Sequence, residues 1–267
     1  MLFGIDDSEI QIQGRQHTIL AAIGVREPTS VDSALSKLKV EFGLTPSSEV
    51  KWNGMKPMPR KMREALSQKL MILLHDAVPL VVISEGRNKQ LAAEYAGKQI
   101  SEFLGRHPYS LGVNETVELI VDEGIIADEA AYSKYLRALS PSPVASAAFA
   151  SAHSHENAVI QLADVLAGFN RLSTDIALGR ANKDLLIRDD QRGRDIEIDL
   201  LSYISIALRW AMWGEVPPPP DPGNVTFDGK WPFKHIGGYG FRIYSTVSQE
   251  TIDEIYKSRI VYMGCMS

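Results

Sequence analysis

The sequence predicts an α/β fold in which a mixed sheet is flanked by helices. Three observations lead there. Short apolar runs alternate with helix-period segments along the first two thirds of the chain. Two apolar runs follow each other at the start with no helical pattern between them. The 267 residues, 45% of them hydrophobic, are enough for one sizeable core.

The elements follow in order. Leu2–Asp6 reads as a first strand ending in acid, and His17–Val25 as a second, joined by a polar turn over Asp7–Gly14. Ser30–Phe42 reads as a helix with Ser30 as N-cap and Gly43 as stop. Met58–His75 is a stronger helix, because Met62, Leu66, Leu70 and Leu73 share one face. Pro79–Ser84 is a buried strand, Lys89–Leu104 a helix, Val117–Asp122 a strand, Ala127–Leu139 a helix and Ser146–Ala150 a short strand. His155–Leu172 is a long helix with two stripes. Val159, Leu162, Leu166 and Phe169 form one; Asn157, Gln161, Asp164 and Gly168 form the other.

Residues 1–174 are therefore expected to form a core domain, and 175–267 an extension packed on it or used for homodimerisation. Within the extension, Asp175–Asp195 reads as loop, Ile196–Trp213 as helix, Pro217–Pro222 as a stiff break, Asn224–Val247 as extended chain and Gln249–Ile260 as a last helix.

Composition narrows the function. The formal net charge is −5 and the pI about 5.7, which counts against a long non-specific grip on duplex nucleic acid. The single cysteine, Cys265, allows neither an internal disulfide nor a Cys-rich zinc site. No apolar run is long enough for a membrane span. Cytoplasmic location is the default expectation.

The chemistry points to acids at the edges of apolar segments. Asp6 and Asp122 end strands, where ligand sites of α/β sheets tend to lie. Asp164 interrupts an apolar helix segment, and a buried carboxylate needs a partner such as a cation. Glu49 lies in the turn segment Ser47–Trp52. Hard divalent cations take such oxygen donors, and a pair of them can hydrolyse a phosphodiester. The plain alternative is that strand-end aspartates are caps and turn formers.

The segments FGIDDS, HTILAAIGV, SEVKW, VELIVDEG and NAVIQLADVLAGF together resemble the bacterial domain-of-unknown-function family 3800. The resemblance spans roughly Met1 to Asn170. Its most specific part is Gln161-Leu162-Ala163-Asp164-Val165-Leu166-Ala167-Gly168. Asp7 stands where that family has Glu, and Glu9 where it has Gly; Asp6 and Ser8 are kept. The resemblance implies an RNase H-like core and a Mg²⁺ or Mn²⁺ site made of Asp6, Glu49, Asp122 and Asp164.

Around these acids, Lys51 could neutralise a substrate phosphate or be a surface lysine. Ser8 belongs to the retained first motif. His153 and His155 could protonate a leaving group or merely start a helix. Gln161 could touch substrate, orient a carboxylate or be a plain helix-face amide. Glu123 and Asp7 stand beside two of the acids. The basic residues Lys56, Arg60, Lys61 and Arg63 could track a nucleic-acid backbone or form a solvated helix face. Trp52, Trp210, Trp213 and Trp231 could stack on bases, although Trp210 and Trp213 suit a core or interface better.

The leading expectation is a metal-dependent nuclease acting on DNA or RNA. The alternative is a catalytically inactive RNase H-like module that binds nucleic acid or a protein partner. A phosphatase of the haloacid dehalogenase type is disfavoured, because its second Asp would fall where Ser8 stands.

Overall fold

The computed structural model describes residues 1–45, 47–55, 58–75, 77–106, 116–181, 184–189, 194–199, 241–245, 247–248 and 250–251. Among the described residues, six strands form one main sheet. Its strands are β1 (Leu2–Ile12), β2 (Arg15–Val25), β3 (Val78–Glu85), β4 (Glu118–Asp122), β5 (Ala148–Ala152) and, from far down the chain, a strand at Phe241–Ser245. The helices are α1 (Pro28–Glu41), α2 (Arg60–His75), α3 (Lys89–Arg106), α4 (Glu129–Ala138) and α5 (Ala158–Ala177). A separate two-stranded ribbon pairs β6 (Asp184–Asp189) with β7 (Arg194–Asp199), which makes Phe241–Ser245 β8.

The sheet order is β5-β4-β1-β2-β3-β8. β2 is antiparallel to both neighbours, while β1 with β4, β4 with β5 and β3 with β8 are parallel. Setting aside β8, this is a sheet in the order 3-2-1-4-5 with only the second strand reversed, the arrangement of the RNase H-like fold. The predicted fold class is the observed one.

β1 is longer than predicted. Asp6 lies mid-strand rather than at its end, and the expected turn over Asp7–Gly14 shrinks to Gln13 and Gly14. Both turn residues have positive φ, 51° and 76°, which suits a two-residue hairpin. The reason lies in Ser8-Glu9-Ile10-Gln11-Ile12. Its period of two buries Ile10 and Ile12 and exposes Glu9 and Gln11.

Two cores separate the helices into layers. On one face Ile19, Ile23 and Ala21 of β2 meet Leu35 and Leu38 of α1, Leu66 and Leu70 of α2, and Leu162, Leu166 and Phe169 of α5. On the other, Phe3, Ile5, Leu20 and Val82 meet Ala93, Ala96 and Ile100 of α3 and Tyr132 and Leu136 of α4. The site face is set by α5, which crosses β1 at Gly4. A Cβ there would lie 2.7 Å from the carbonyl carbon of Val159.

Other boundaries move by a turn or less. α1 starts on Pro28 at its first turn, with Glu27 and not Ser30 at the cap; the Ser30 hydroxyl instead donates to the Glu27 carboxylate at 3.1 Å. α2 starts at Arg60, after the expected Met58. β5 begins at Ala148, two residues after Ser146. α5 begins at Ala158, because Asn157 caps it by accepting the N–H groups of Val159 and Ile160. It runs to Ala177, through the expected domain boundary at 174.

The extension differs more. The loop expected over Asp175–Asp195 contains the end of α5 and strand β6, and Ile196 lies in β7 instead of opening a helix. β7 alternates apolar with charged residues over Asp195-Ile196-Glu197-Ile198-Asp199, which is a strand period, and β6 is a short apolar run, Leu185-Leu186-Ile187, between charged residues. The rest of the Ile196–Trp213 helix, the Pro217–Pro222 break and most of the Gln249–Ile260 helix lie outside the described residues, as do Lys56, Trp210, Trp213, Trp231 and Cys265. β8 falls inside the stretch expected to be extended and pairs with β3. Thr251, 2% exposed, donates to the Gln13 side chain at the hairpin tip.

The close crossing at Gly4 generates a stability prediction. Gly4→Ala should lower stability by about 3 kcal/mol, because backbone and not a flexible side chain blocks the added methyl. The midpoint of urea unfolding measures it, and an unchanged midpoint would mean that α5 does not sit on β1 as described.

Candidate metal centre

The sequence-predicted acids come from four separate elements and share one face. Side chains alternate along a strand, so β1 sends Asp6 to the α5 side and Asp7 to the α3 side. β4 sends Asp122 to the α5 side as well, since Leu119 and Val121 join the opposite core. The parallel pairing ends at Ile5 opposite Val121, which sets Asp6 beside Asp122 one step further on. α5 supplies Asp164 across this edge. The segment before α2 supplies Glu49.

The four carboxylates act on one another. Asp6 is 6% exposed. Burial, helped by the charges of Asp122, Asp164 and Asp7 and opposed by one N–H donor, pushes its pKa up to about 8. That donor is the Asp7 amide, at 2.7 Å. Asp122 is raised by burial, with Lys51 and the N–H groups of Glu123 and Ser154 pulling it back and Glu49 pushing it up. Asp164 is raised by burial, against the Trp52 N–H and Lys51, and with Glu49 and Asp122 adding. This is the pattern of like charges crowded in a low-dielectric place.

Lys51 is the lysine that acts on Glu49, Asp122 and Asp164, while the buried Lys39 also feels Glu49. The Lys51 ammonium stands 3.0 Å from Glu49 Oε1. Burial draws its pKa down, but the Glu49 hydrogen bond and the charges of Glu49, Asp122 and Asp164 outweigh that and hold it above the ordinary value. Glu49 also accepts the Ser154 hydroxyl. Ser154 is 4% exposed and its N–H bonds Asp122, so one residue ties two of the acids together. The sequence reading passes over Ser154, although it lies between two histidines that it singles out.

Asp7 is occupied elsewhere. It pairs with Lys89 at 3.1 Å on the other face. Ser8 lies on the Asp6 face two positions on, half-buried. His153 and His155 are exposed, and their rings stack at 5.3 Å. His153 Nδ1 is 2.8 Å from Glu123, beside Asp122. His155 lies in a 3-10 turn at Ser154–Glu156 and not in α5. Arg60 is paired with Glu64 at 2.7 Å.

Gln161 is 2% exposed. Its Oε1 accepts the Val50 N–H at 3.1 Å and its Nε2 donates to the His155 carbonyl at 3.3 Å. Asp164 Oδ2 accepts the Trp52 N–H at 2.6 Å. Gly168 faces the Trp52 side chain, whose Cγ would lie 2.0 Å from an added Cβ. Trp52 is half-buried and also meets Phe169, with ring centroids 4.7 Å apart.

In kind, four carboxylates fit a hard divalent cation, which prefers oxygen donors. As the side chains stand, however, no group of three or more His, Cys, Asp and Glu among the described residues is gathered closely enough to hold an ion. Glu49 is turned to Lys51 and Ser154, and one oxygen of Asp164 is turned to Trp52.

Neither a family model nor a curated protein matches the chain. Among solved structures, it is similar to the structure of the PCNA:RNase HII complex from Archaeoglobus fulgidus, at 15% identity and a TM-score of 0.32, over 64% of this chain and 72% of that one. At that likeness the fold rests on the strand order and not on the neighbour. Among the described residues, no helix is long and apolar enough to cross a membrane.

The raised Asp6 pKa generates a pH prediction. The folded protein holds a proton on Asp6 that the unfolded chain, with an ordinary value of 3.8, releases earlier. Stability of the metal-free protein should therefore fall as pH rises from about 4 to about 8, and level off above. Asp6→Asn should remove most of that slope and stabilise the metal-free protein at pH 7 by on the order of 2–4 kcal/mol. Thermal melts across that range test it. A slope unchanged in the variant would show that Asp6 is not the strained group.

Proposed function

We propose that the chain is a divalent-metal-dependent phosphodiester hydrolase acting on nucleic acid, with Asp6, Glu49, Asp122 and Asp164 as ligands of Mg²⁺ or Mn²⁺. The observation that carries the reading is the crowding of Asp122 and Asp164 against a buried Asp6, with Glu49 acting on both of them from the loop before α2. A divalent cation from solution would relieve the repulsion among these like charges.

The bound metal would activate a water and neutralise charge on the phosphodiester. The chain's own residues divide the remaining work. Asp6, the most buried of the four, would anchor the ion. Lys51, at the rim with its side chain 46% exposed, could turn from Glu49 to a substrate phosphate. His153 and His155, exposed and paired with Glu123 and Glu156, would be the groups to protonate a leaving oxygen. Ser8, half-buried further along the Asp6 face, would contact substrate. Gln161 has both polar atoms engaged by the backbone and is not assigned to substrate.

The Lys51–Glu49 ion pair supports a second reading. A tethered ammonium can serve as the permanent counter-ion of the acids, leaving an RNase H-like module that binds nucleic acid or a protein partner without catalysis.

Two measurements separate these readings. Calorimetric titration with Mn²⁺ should show binding by the wild type and none by Asp6→Asn. Cleavage of single- and double-stranded DNA and of RNA should require Mg²⁺ or Mn²⁺. Asp6→Asn or Asp164→Asn should lower it at least about 100-fold, near 2.7 kcal/mol of barrier. Wild-type protein that binds no Mn²⁺ would sink the hydrolase reading and favour the module.

A further inference from the structure

We infer that Gln161 and Gly168 are positioning residues: with Asp164 they clamp the 49–52 segment to α5, and through that clamp they aim Glu49 and Lys51 at the acid cluster. The functional consequence rests on the hydrolase reading; the clamp itself does not.

The 49–52 segment is laid along one stripe of α5. Val50 and Trp52 are the anchors. The Val50 N–H is held by Gln161 and the Trp52 N–H by Asp164, across 111 and 112 positions of sequence. The Val50 side chain is 2% exposed, and the Trp52 side chain fills the space that Gly168 leaves. Glu49 and Lys51 meet each other and feel Asp122 and Asp164. Gln161 is fixed in turn by the His155 carbonyl. Residues 161, 164 and 168 fall at helical spacing on one stripe of α5, so one face of the helix reads one strip of backbone.

Segment 48–51 belongs to no helix or strand. Without the α5 stripe, the backbone around Glu49 has no ladder to define it. A buried N–H without an acceptor is costly, and a ligand on a loop is only as well placed as its supports.

The test starts from amide hydrogen exchange of the metal-free protein, read by NMR. Gln161→Met keeps the volume and removes the acceptor for Val50. The Trp52 amide is the reporter, because it retains Asp164. The clamp predicts that Trp52 exchanges at least about tenfold faster while core amides of β2 such as Ala21 stay protected. Unchanged protection at Trp52 would reduce Gln161 to one local bond and overturn the inference.

Gly168→Ala is an independent second variant. It should loosen Val50 and Trp52 alike, and should add less than a twofold effect in a Trp52→Ala background. A full additional effect there would also overturn the inference. The functional arm uses Mn²⁺ itself: Gln161→Met should weaken binding about 10- to 100-fold. Equal affinity with a loosened segment would overturn the aiming of Glu49. A wild type that binds no Mn²⁺ would overturn the hydrolase reading, and the exchange data would then decide the clamp alone.

Discussion

Like charges crowded against the buried Asp6 are the constraint around which the site is arranged. Parallel pairing of β1 with β4 places Asp6 next to Asp122, and the crossing of α5 at Gly4 brings Asp164 over both. At an effective dielectric of 20, two unit charges 4 Å apart repel by about 4 kcal/mol. The fold relieves this in small ways. Backbone N–H groups of Asp7, Glu123, Ser154 and Trp52 each donate to one of the acids. Lys51 supplies one positive charge. The remainder is taken up by a proton, which is what a pKa of about 8 on Asp6 means near neutral pH. A proton and a dication are alternative answers to one electrostatic problem. Metal affinity at this site would therefore rise with pH as the proton leaves, a coupling common to carboxylate sites.

The two adjacent aspartates of β1 show how strand parity assigns roles. Asp6 and Asp7 have the same side chain and nearly the same place in sequence. Asp6 turns to the face of α5 and meets only acids. Asp7 turns to the face of α3 and meets Lys89. A one-residue slip of register would exchange them. That slip is resisted along the whole of β1, because it would also turn Ile10 and Ile12 out of one core and Phe3 and Ile5 out of the other. The hydrophobic pattern of the strand thus fixes which acid is held among other acids.

Much of this is legible in the sequence, and the illegible part has identifiable causes. The alternation of apolar runs and helical stripes gives the α/β class, and the run ending at Asp122 gives the end of β4. The length of β1 is hidden because Ser8–Ile12 is half polar and precedes a glycine, so it reads as turn unless its period of two is weighed. The ribbon of β6 and β7 is hidden in the same way by its charged residues. The order of strands is not local information at all. Nothing near Asp6 says that Asp122 will lie beside it, since their meeting depends on a parallel pairing across 116 positions. Ser154 and Gln161 are hardest, because their partners are a loop carboxylate and backbone amides more than a hundred residues away.

The stripe of α5 reconciles the apolar character of this helix with the polar residues set into it. Asn157, Gln161, Asp164 and Gly168 follow at intervals of four, three and four. Asn157 caps the helix, Gln161 and Asp164 hold two amides of one segment, and Gly168 makes room for the tryptophan that ends it. Each polar group is thereby satisfied by backbone at a place where solvent is scarce, which is the condition for keeping it there. Asp164 is the exception that matters. It gives Oδ2 to the Trp52 amide, while its charge still acts on Asp6 and Asp122. One carboxylate can then serve as both a structural acceptor and a proposed ligand. On the proposed reading, docking of the 49–52 segment is what adds Glu49 to the acids that β1, β4 and α5 already bring together.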